Sequence, residues 1–246
     1  MKSWAKQKIQ SFLRSRGLKI THNRNDQWPP DFDLLPILVE SEGPGIKNLN
    51  NIVQIGANDG GHEDPLANTI AASSANAYLI EPLPDPYQKL EQLYKDNPRV
   101  TTINAALSET DGQATIWRVT NNADEAQQHT QYASFDRSVI DKFRPMFEPT
   151  GGKIVSQSVR TITVKTLLDQ YSINTIDLLQ VDTEGWDAKV VNWFLDGAAT
   201  SPAVINYEHI HLPADQDQQL IQRLRSLSYK LVRYGRDTTA IHVPTA

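Results

Sequence analysis

The chain has 246 residues, 39% hydrophobic and 22% charged, with 24 basic side chains, 29 acidic ones and no cysteine. That length can bury one large core. The missing cysteines exclude disulfides, thiolate metal sites and a cysteine nucleophile, and no apolar run approaches the roughly 20 residues of a membrane-spanning helix.

Residues 1–25 hold seven bases (Lys2, Lys6, Lys8, Arg14, Arg16, Lys19 and Arg24) and no acid, which leaves 17 bases against 29 acids in the rest. An acidic body argues against a nucleic-acid partner, because phosphate contacts need clustered Lys and Arg. Ala5, Ile9, Phe12 and Leu13 recur at helical spacing, and Gly17 is a stop signal. The segment reads as a basic amphipathic helix. It packs as a cap with its bases in water, or it lies on an anionic membrane surface as a peripheral contact. It lacks the continuous apolar stretch of a secretory leader, so the cytoplasm is the expected compartment. Residues 26–246 are expected to form a single domain, with 26–50 as a lead-in loop rich in Pro, Asp, Gly and Asn.

The first strand, 51–55, runs straight into Gly56-Ala-Asn-Asp-Gly60. Gly56 and Gly60 can take positive φ and permit close approach to the backbone. A crossover helix follows at 65–74. The second strand, 77–80, ends at Glu81, and a helix follows at 85–95. This is the plan of a nucleotide-binding βαβ unit, whose acid accepts hydrogen bonds from the ribose hydroxyls. The turn is not the dinucleotide fingerprint. Asn58 and Asp59 put polar groups where a pyrophosphate loop shows bare backbone. An acid there suits a ligand with an amino group, which points to S-adenosylmethionine.

A third strand is expected at 100–104 and a short one at 113–119. Residues 120–158 are polar and aperiodic, and read as an insert lying over the site as a lid or acceptor loop. A strand at 161–164 leads into a helix at 165–171. The fourth strand is 176–181, with a helix at 186–194, and the fifth is 203–207. Residues 215–226 form an amphipathic helix with Leu220, Ile221 and Leu224 on one face. Residues 230–234 and 240–243 close the chain as an antiparallel hairpin. Strands alternating with helices require a mainly parallel sheet with right-handed crossovers.

Ligands of such sheets bind outside the carboxyl ends of the strands. Five strand ends carry polar groups there: Gly56 to Asp59, Glu81, Asn104, Asp182 with Glu184, and Glu208 with His209 and nearby His211. A single acid at such a place is commonly a helix cap. Convergence of five on one edge is more than capping requires.

The segments Ile55-Gly-Ala-Asn-Asp-Gly60, Ile80-Glu-Pro82, Asn104-Ala-Ala-Leu-Ser108 and above all Ile176-Asp-Leu-Leu-Gln-Val-Asp-Thr-Glu-Gly185 resemble the FkbM family of S-adenosylmethionine-dependent O-methyltransferases. The resemblance covers roughly residues 50–210. Asp59 and Thr183 depart from the commonest pattern, and residues 61–65 look like a subgroup variant. The resemblance implies an α/β class I methyltransferase fold: a Rossmann-like three-layer sandwich around a seven-stranded, mainly parallel sheet whose last strand is antiparallel. It implies methylation of a hydroxyl on a sugar, polysaccharide unit or secondary metabolite. It also implies cofactor contacts from Gly56 and Asn58 to the methionine and ribose parts and from Asp59 near the ammonium. Glu81 would chelate the ribose diol, Asn104 and Ala105 would edge the adenine, and Asp182 would face the reaction centre.

Methyl transfer to an alcohol is dominated by positioning, but the hydroxyl must lose its proton and a base helps. His209, His211, Glu208 and Asp182 are the candidates. His209 is favoured because it stands directly at the end of strand five and histidine titrates near working pH. Asp182, Glu184, Glu208 and a histidine could alternatively hold Mg²⁺ or Ca²⁺. Two other readings compete: an oxidoreductase of nucleotide-binding fold, and a non-catalytic module that binds a partner through residues 120–158 and the basic arm. The missing pyrophosphate glycines weaken the first, and the intact ribose acid and strand-four motif weaken the second.

Overall fold

A computed structural model describes residues 49–61, 64–120, 132–199 and 201–243. The expected basic helix of residues 1–25 and nearly all of the lead-in loop lie outside these. Among the described residues, no helix is long and apolar enough to cross a membrane.

The main sheet contains β1 (Asn51–Ile55), β2 (Asn76–Ile80), β3 (Val100–Ile103), β8 (Leu178–Val181), β9 (Val204–Glu208), β10 (Tyr229–Tyr234) and β11 (Asp237–His242). Their order is β10-β11-β9-β8-β1-β2-β3. Strands β9, β8, β1, β2 and β3 run parallel, while β11 is antiparallel to both β9 and β10. The seven-stranded sheet with its last strand reversed is the architecture expected from the sequence. The helices are α1 (Ala67–Ala72), α2 (Pro84–Tyr94), α3 (Arg137–Asp141), α4 (Arg144–Phe147), α5 (Val164–Gln170), α6 (Asp187–Gly197) and α7 (Ala214–Ser226).

Both faces of the central strands are covered, which is why they read as near-continuous apolar runs. On one face Val53, Ile55, Leu179, Val181 and Ile205 pack with Val190, Val191 and Phe194 of α6 and with Leu220 and Leu224 of α7. On the other, Ile52, Leu79, Leu178 and Val204 meet Leu66, Ile70 of α1 and Leu90 of α2. Successive strand residues alternate between these two cores. One buried row breaks the apolar pattern. Gln54, Gln180, Asn206 and Thr239 are aligned across β1, β8, β9 and β11. Thr239 Oγ1 donates to Asn206 Oδ1 at 2.6 Å, and Asn206 Nδ2 donates to Gln180 Oε1 at 2.9 Å. A one-residue slip would break this row, so it reinforces the register.

The stretch read as an aperiodic insert is partly regular. A second sheet, ordered β4-β7-β5-β6, is made of β4 (Ala106–Leu107), β5 (Gly112–Thr120), β6 (Ala133–Ser134) and β7 (Lys153–Ile162). Strand β7 starts at Lys153, well before the strand expected at 161–164, and pairs with β5 from Gly112↔Thr161 to Thr120↔Lys153. Its Lys, Ser, Gln and Arg side chains are largely accessible, so it has no apolar period to announce it. Asp136 accepts from Ser138 N at 2.8 Å and starts α3. Arg118 of β5 is buried and ties the second sheet to α2: it donates to Asp85 at 2.6 Å in the first turn of that helix and to Gln157 of β7 at 2.9 Å.

The tightest backbone junction is between β1 and β8. Gly56 has φ +82°, and a Cβ placed on it would lie 1.8 Å from the carbonyl oxygen of Asp182. Gly56→Ala is therefore expected to cost on the order of 3 kcal/mol or more, from overpacking and left-handed strain together. Gly235 has φ +52° but faces open space, so Gly235→Ala should cost only about 1–2 kcal/mol. Urea unfolding of the two variants checks the difference, and equal losses would contradict the junction.

Candidate functional site

The carboxyl ends of β1, β2 and β8 open into a cleft enclosing about 780 Å³ of non-atom space, its solvent-open mouth included. Gly56 and Asn58 come from the first turn, Glu81 to Leu83 from the end of β2, and Ala105 to Leu107 from the region after β3. Asp182 to Glu184 come from the end of β8, Trp186 from the start of α6, and Ala133 to Phe135 from β6 and its exit. The region read as a lid thus contributes one wall of the cleft.

Glu81 is 5% exposed. Its Oε2 accepts from the backbone N–H of Asn58 at 2.9 Å and its Oε1 from that of Leu83 at 2.8 Å. Each carboxylate oxygen keeps a further lone pair, which suits two adjacent hydroxyls. Burial pushes the carboxyl up to about 7, against the opposing pull of those two N–H donors. Asn58 is left-handed, at φ +48°, and its buried Oδ1 has no hydrogen-bond partner. An unpaired acceptor on a residue that lines the cleft fits a ligand with N–H or O–H donors. Leu83, Ala105, Ala106, Leu107 and Ile116 give the cleft an apolar flank, which suits a flat base. These features fit S-adenosylmethionine.

Two expected cofactor contacts are placed elsewhere. Asp59 does not line the cleft. Its Oδ1 accepts from Gly61 N at 3.0 Å and closes the turn, and Lys89 Nζ lies 3.9 Å from Oδ2. Asn104 donates through Nδ2 to the carbonyls of Glu81 and Pro82 at 2.8 and 3.1 Å. It braces the loop that carries Glu81, and its neighbour Ala105 lines the cleft instead. Gly56 lines the cleft as expected, but the close approach it allows is that of the Asp182 carbonyl.

Asp182 faces the open cleft while protein surrounds it on its other sides, and that loss of water holds its carboxyl above the usual aspartate value. The loop after it is clasped by Asp187, a fully buried residue in the first turn of α6. Asp187 accepts from Thr183 N, Thr183 Oγ1 and Gly185 N at 3.2–3.3 Å. Ser134 Oγ of β6 donates to the Glu184 carbonyl at 2.9 Å. Together they hold Glu184 in a left-handed conformation, φ +50°, which is uncommon for a side chain of this kind. Asp187 was not singled out in the sequence, where it looks like an ordinary acid at a helix start.

The structure sets apart the two histidines offered as candidate bases. His209 Nδ1 lies 3.1 Å from Thr238 Oγ1 on β11, and burial pushes its pKa down. It is not brought to the acids, because neighbours along an extended chain project to opposite sides and Glu208 takes the inward one. His211 is the histidine that meets them: its Nε2 is 3.3 Å from Glu184 Oε2 and 3.5 Å from Glu208 Oε2. Phe143 covers its ring edge-on at 5.2 Å. Arg236 holds Glu208 Oε1 through Nε and Nη2, both at 2.8 Å. Burial first, then neighbouring acids, push Glu184 up to about 9 and Glu208 up to about 7, and burial pushes His211 down to about 4. Asp182 is not in this group. Among the described residues, the acids and histidines whose ligating atoms come within 4.8 Å of one another are Glu184, Glu208 and His211.

A model of the FkbM methyltransferase domain matches residues 54–231. No curated protein matches the sequence. Among solved structures, an FkbM methyltransferase from Methylobacillus flagellatus is similar at 13% identity and a TM-score of 0.48, over 79% of this chain. This chain spans 44% of the length of that protein. An O-methyltransferase from Bacillus cereus, solved with SAH, is similar at 11% identity and a TM-score of 0.43, over 96% of this chain and 89% of the other. Aeropyrum pernix fibrillarin with bound S-adenosyl-L-methionine shows 10% identity and a TM-score of 0.44, over 85% of this chain and 73% of the other.

The raised carboxyls have a consequence for stability. A group that holds its proton more tightly when folded destabilises the fold as pH rises from its unfolded to its folded value. Glu81 and Glu208, ordinarily near 4.5, are raised to about 7, and Glu184 to about 9. The lowered histidines act oppositely, but only below their ordinary value of 6.5. The unfolding free energy of the ligand-free chain should therefore fall from about pH 6.5 to about pH 8, by up to roughly 1.4 kcal/mol per pH unit for each group still titrating. Urea midpoints at the two ends of that range check the sign.

Proposed function

The chain belongs to the FkbM methyltransferase family, and from that premise we propose that it is an S-adenosylmethionine-dependent O-methyltransferase whose acceptor is a hydroxyl of a sugar, a polysaccharide unit or a related metabolite. The observation that carries this reading is the meeting, in one cleft, of a buried, diol-suited carboxylate just after β2 and the carboxylate of Asp182 just after β8. Bound there, the cofactor supplies an electrophilic methyl group on a sulfonium. Glu81 holds the ribose diol while Asn58 N–H and Leu83 N–H keep the carboxylate oriented. Asn58 Oδ1 accepts a donor from the cofactor's polar part, and Leu83, Ala105 and Ala106 flank the base.

Asp182 would take the proton that the acceptor hydroxyl loses on methylation. Its raised pKa makes it a stronger base than an ordinary aspartate. Trp186 and Phe135, whose ring centroids are 4.8 Å apart, form an apolar wall beside Thr183 and Glu184. An aromatic face next to polar groups suits a ring that carries hydroxyls. The insert carrying Ala133 to Phe135 acts as the lid that keeps water from the methyl donor.

Calorimetry on the full chain tests the cofactor. Glu81→Gln removes the ionised acceptor, worth about 1.5–3 kcal/mol, so affinity for S-adenosylmethionine should fall tenfold or more. An unchanged affinity in the folded variant would contradict the ribose assignment. Turnover against a panel of hydroxylated sugars tests the acceptor and the base together. Asp182→Asn should lower turnover by about 10²–10⁴, the usual effect of removing a base, and should also weaken cofactor binding, because it takes a negative charge away from the sulfonium. Full activity in Asp182→Asn would sink that role.

A further inference from the structure

We propose that Glu184, Glu208 and His211 form a binding site for one first-row divalent transition-metal ion, ligated by Glu184 Oε2, Glu208 Oε2 and His211 Nε2. Glu184 is 9% exposed and Glu208 4%. Both Oε2 atoms are buried and neither completes a hydrogen bond. Each nevertheless lies close to the same nitrogen, at 3.3 and 3.5 Å. Ligands about 2.1 Å from a common metal ion are separated by roughly 3.0–3.4 Å, so these spacings need little adjustment.

The alternatives within the protein leave the three atoms poorly matched. One imidazole nitrogen offers at most a single N–H to the two carboxylate oxygens beside it, so at least one of them is left without a donor, whereas a metal cation gives all three atoms a partner. Arg236 is already committed to Glu208 Oε1, leaving Oε2 directed at the group. Its Nη2 also lies 3.4 Å from His211 Nε2, but its side chain is 61% exposed and can move outward. It is the competing cation that the experiment must separate.

The group keeps Glu184, Glu208 and a histidine from the Mg²⁺ or Ca²⁺ site expected from sequence and leaves Asp182 outside it. An imidazole nitrogen with two carboxylates favours Mn²⁺, Fe²⁺, Co²⁺ or Zn²⁺ over hard cations that prefer all-oxygen shells. Glu184 also lines the cleft, so the ion stands at its edge. If the methyltransferase reading holds, it is placed to bind and acidify the acceptor hydroxyl whose proton Asp182 receives.

The probe is Mn²⁺ alone. The full chain, treated with EDTA and desalted, is titrated with Mn²⁺ and free ion is followed by electron paramagnetic resonance. The expected result is one ion bound per chain, with affinity reduced at least tenfold in both Glu208→Gln and His211→Ala and retained in His209→Ala. Circular dichroism confirms folding, and the wild-type stoichiometry stands as a result even where a variant unfolds. Absence of stoichiometric binding to wild type would overturn the site. So would binding that survives both ligand variants, or binding that appears only in Arg236→Gln, which would mean that the guanidinium is the resident cation. Calorimetry with S-adenosylmethionine on the same wild-type sample keeps the two proposals apart. Cofactor binding without Mn²⁺ binding rejects the metal alone, and the reverse rejects the methyltransferase reading while leaving the metal site standing.

Discussion

The site depends on a contact in which no side chain takes part. At Gly56 the chain leaves β1 in a left-handed turn and lies so close to the Asp182 carbonyl that a Cβ would overlap it. That contact brings the turn after β1 and the loop after β8 to one point on the sheet edge. Gly56 and Ala57 N–H then donate to the Ile80 carbonyl at 3.0 Å, which adds the end of β2. Three strand ends are thus joined by backbone alone, and the acids they carry inherit that placement. Were the turn looser, Glu81 and Asp182 would still end their strands but would not face one cavity.

Around this junction the buried polar groups act as clasps, each closing a specific loop. Asn104 ties the end of β2, Asp187 the loop after β8, and Ser134 joins that loop to the second sheet. Such bonds add modest net stability but are costly to leave unmade, so they select one arrangement over its neighbours. Of the non-glycine residues at positive φ in the site, Glu184 lies within these clasps and Asn58 is held by its own N–H to the Glu81 carboxylate. Strain of this kind persists only where surrounding contacts over-determine it.

The parallel core was legible in the sequence because strands covered on both faces read as apolar runs, and each strand of the main sheet falls within a few residues of its expected place. The strand-end acids were legible for the same reason: a charge after an apolar run stands out. What could not be read follows from geometry. Glu208 and His209 are adjacent in sequence and so diverge in an extended chain, while His211 returns to the acids. Asp59 and Asn104 have the residue types of ligand contacts, but short amides and carboxylates equally close turns, and here they do. Strand β7 was hidden by its polar, accessible residues and by a partner, β5, more than thirty positions away. The row of Gln54, Gln180, Asn206 and Thr239 is visible only once the register aligns it.

The concentration of acids at the ends of β8 and β9 has one further implication. Asp182, Glu184, Asp187 and Glu208 all hold protons more tightly than usual, burial being the leading cause in each and repulsion by neighbouring acids adding to it, while Arg236 is the cation that lowers three of them. A site built this way stabilises positive charge brought into it, since a cation restores the ionised state that burial opposes. Under the methyl-transfer reading the donor enters as a sulfonium and leaves as a neutral thioether. The carboxylates therefore attract the cofactor before transfer more than its product after it. The same electrostatics that make the empty site costly to fold would make the spent cofactor easier to release.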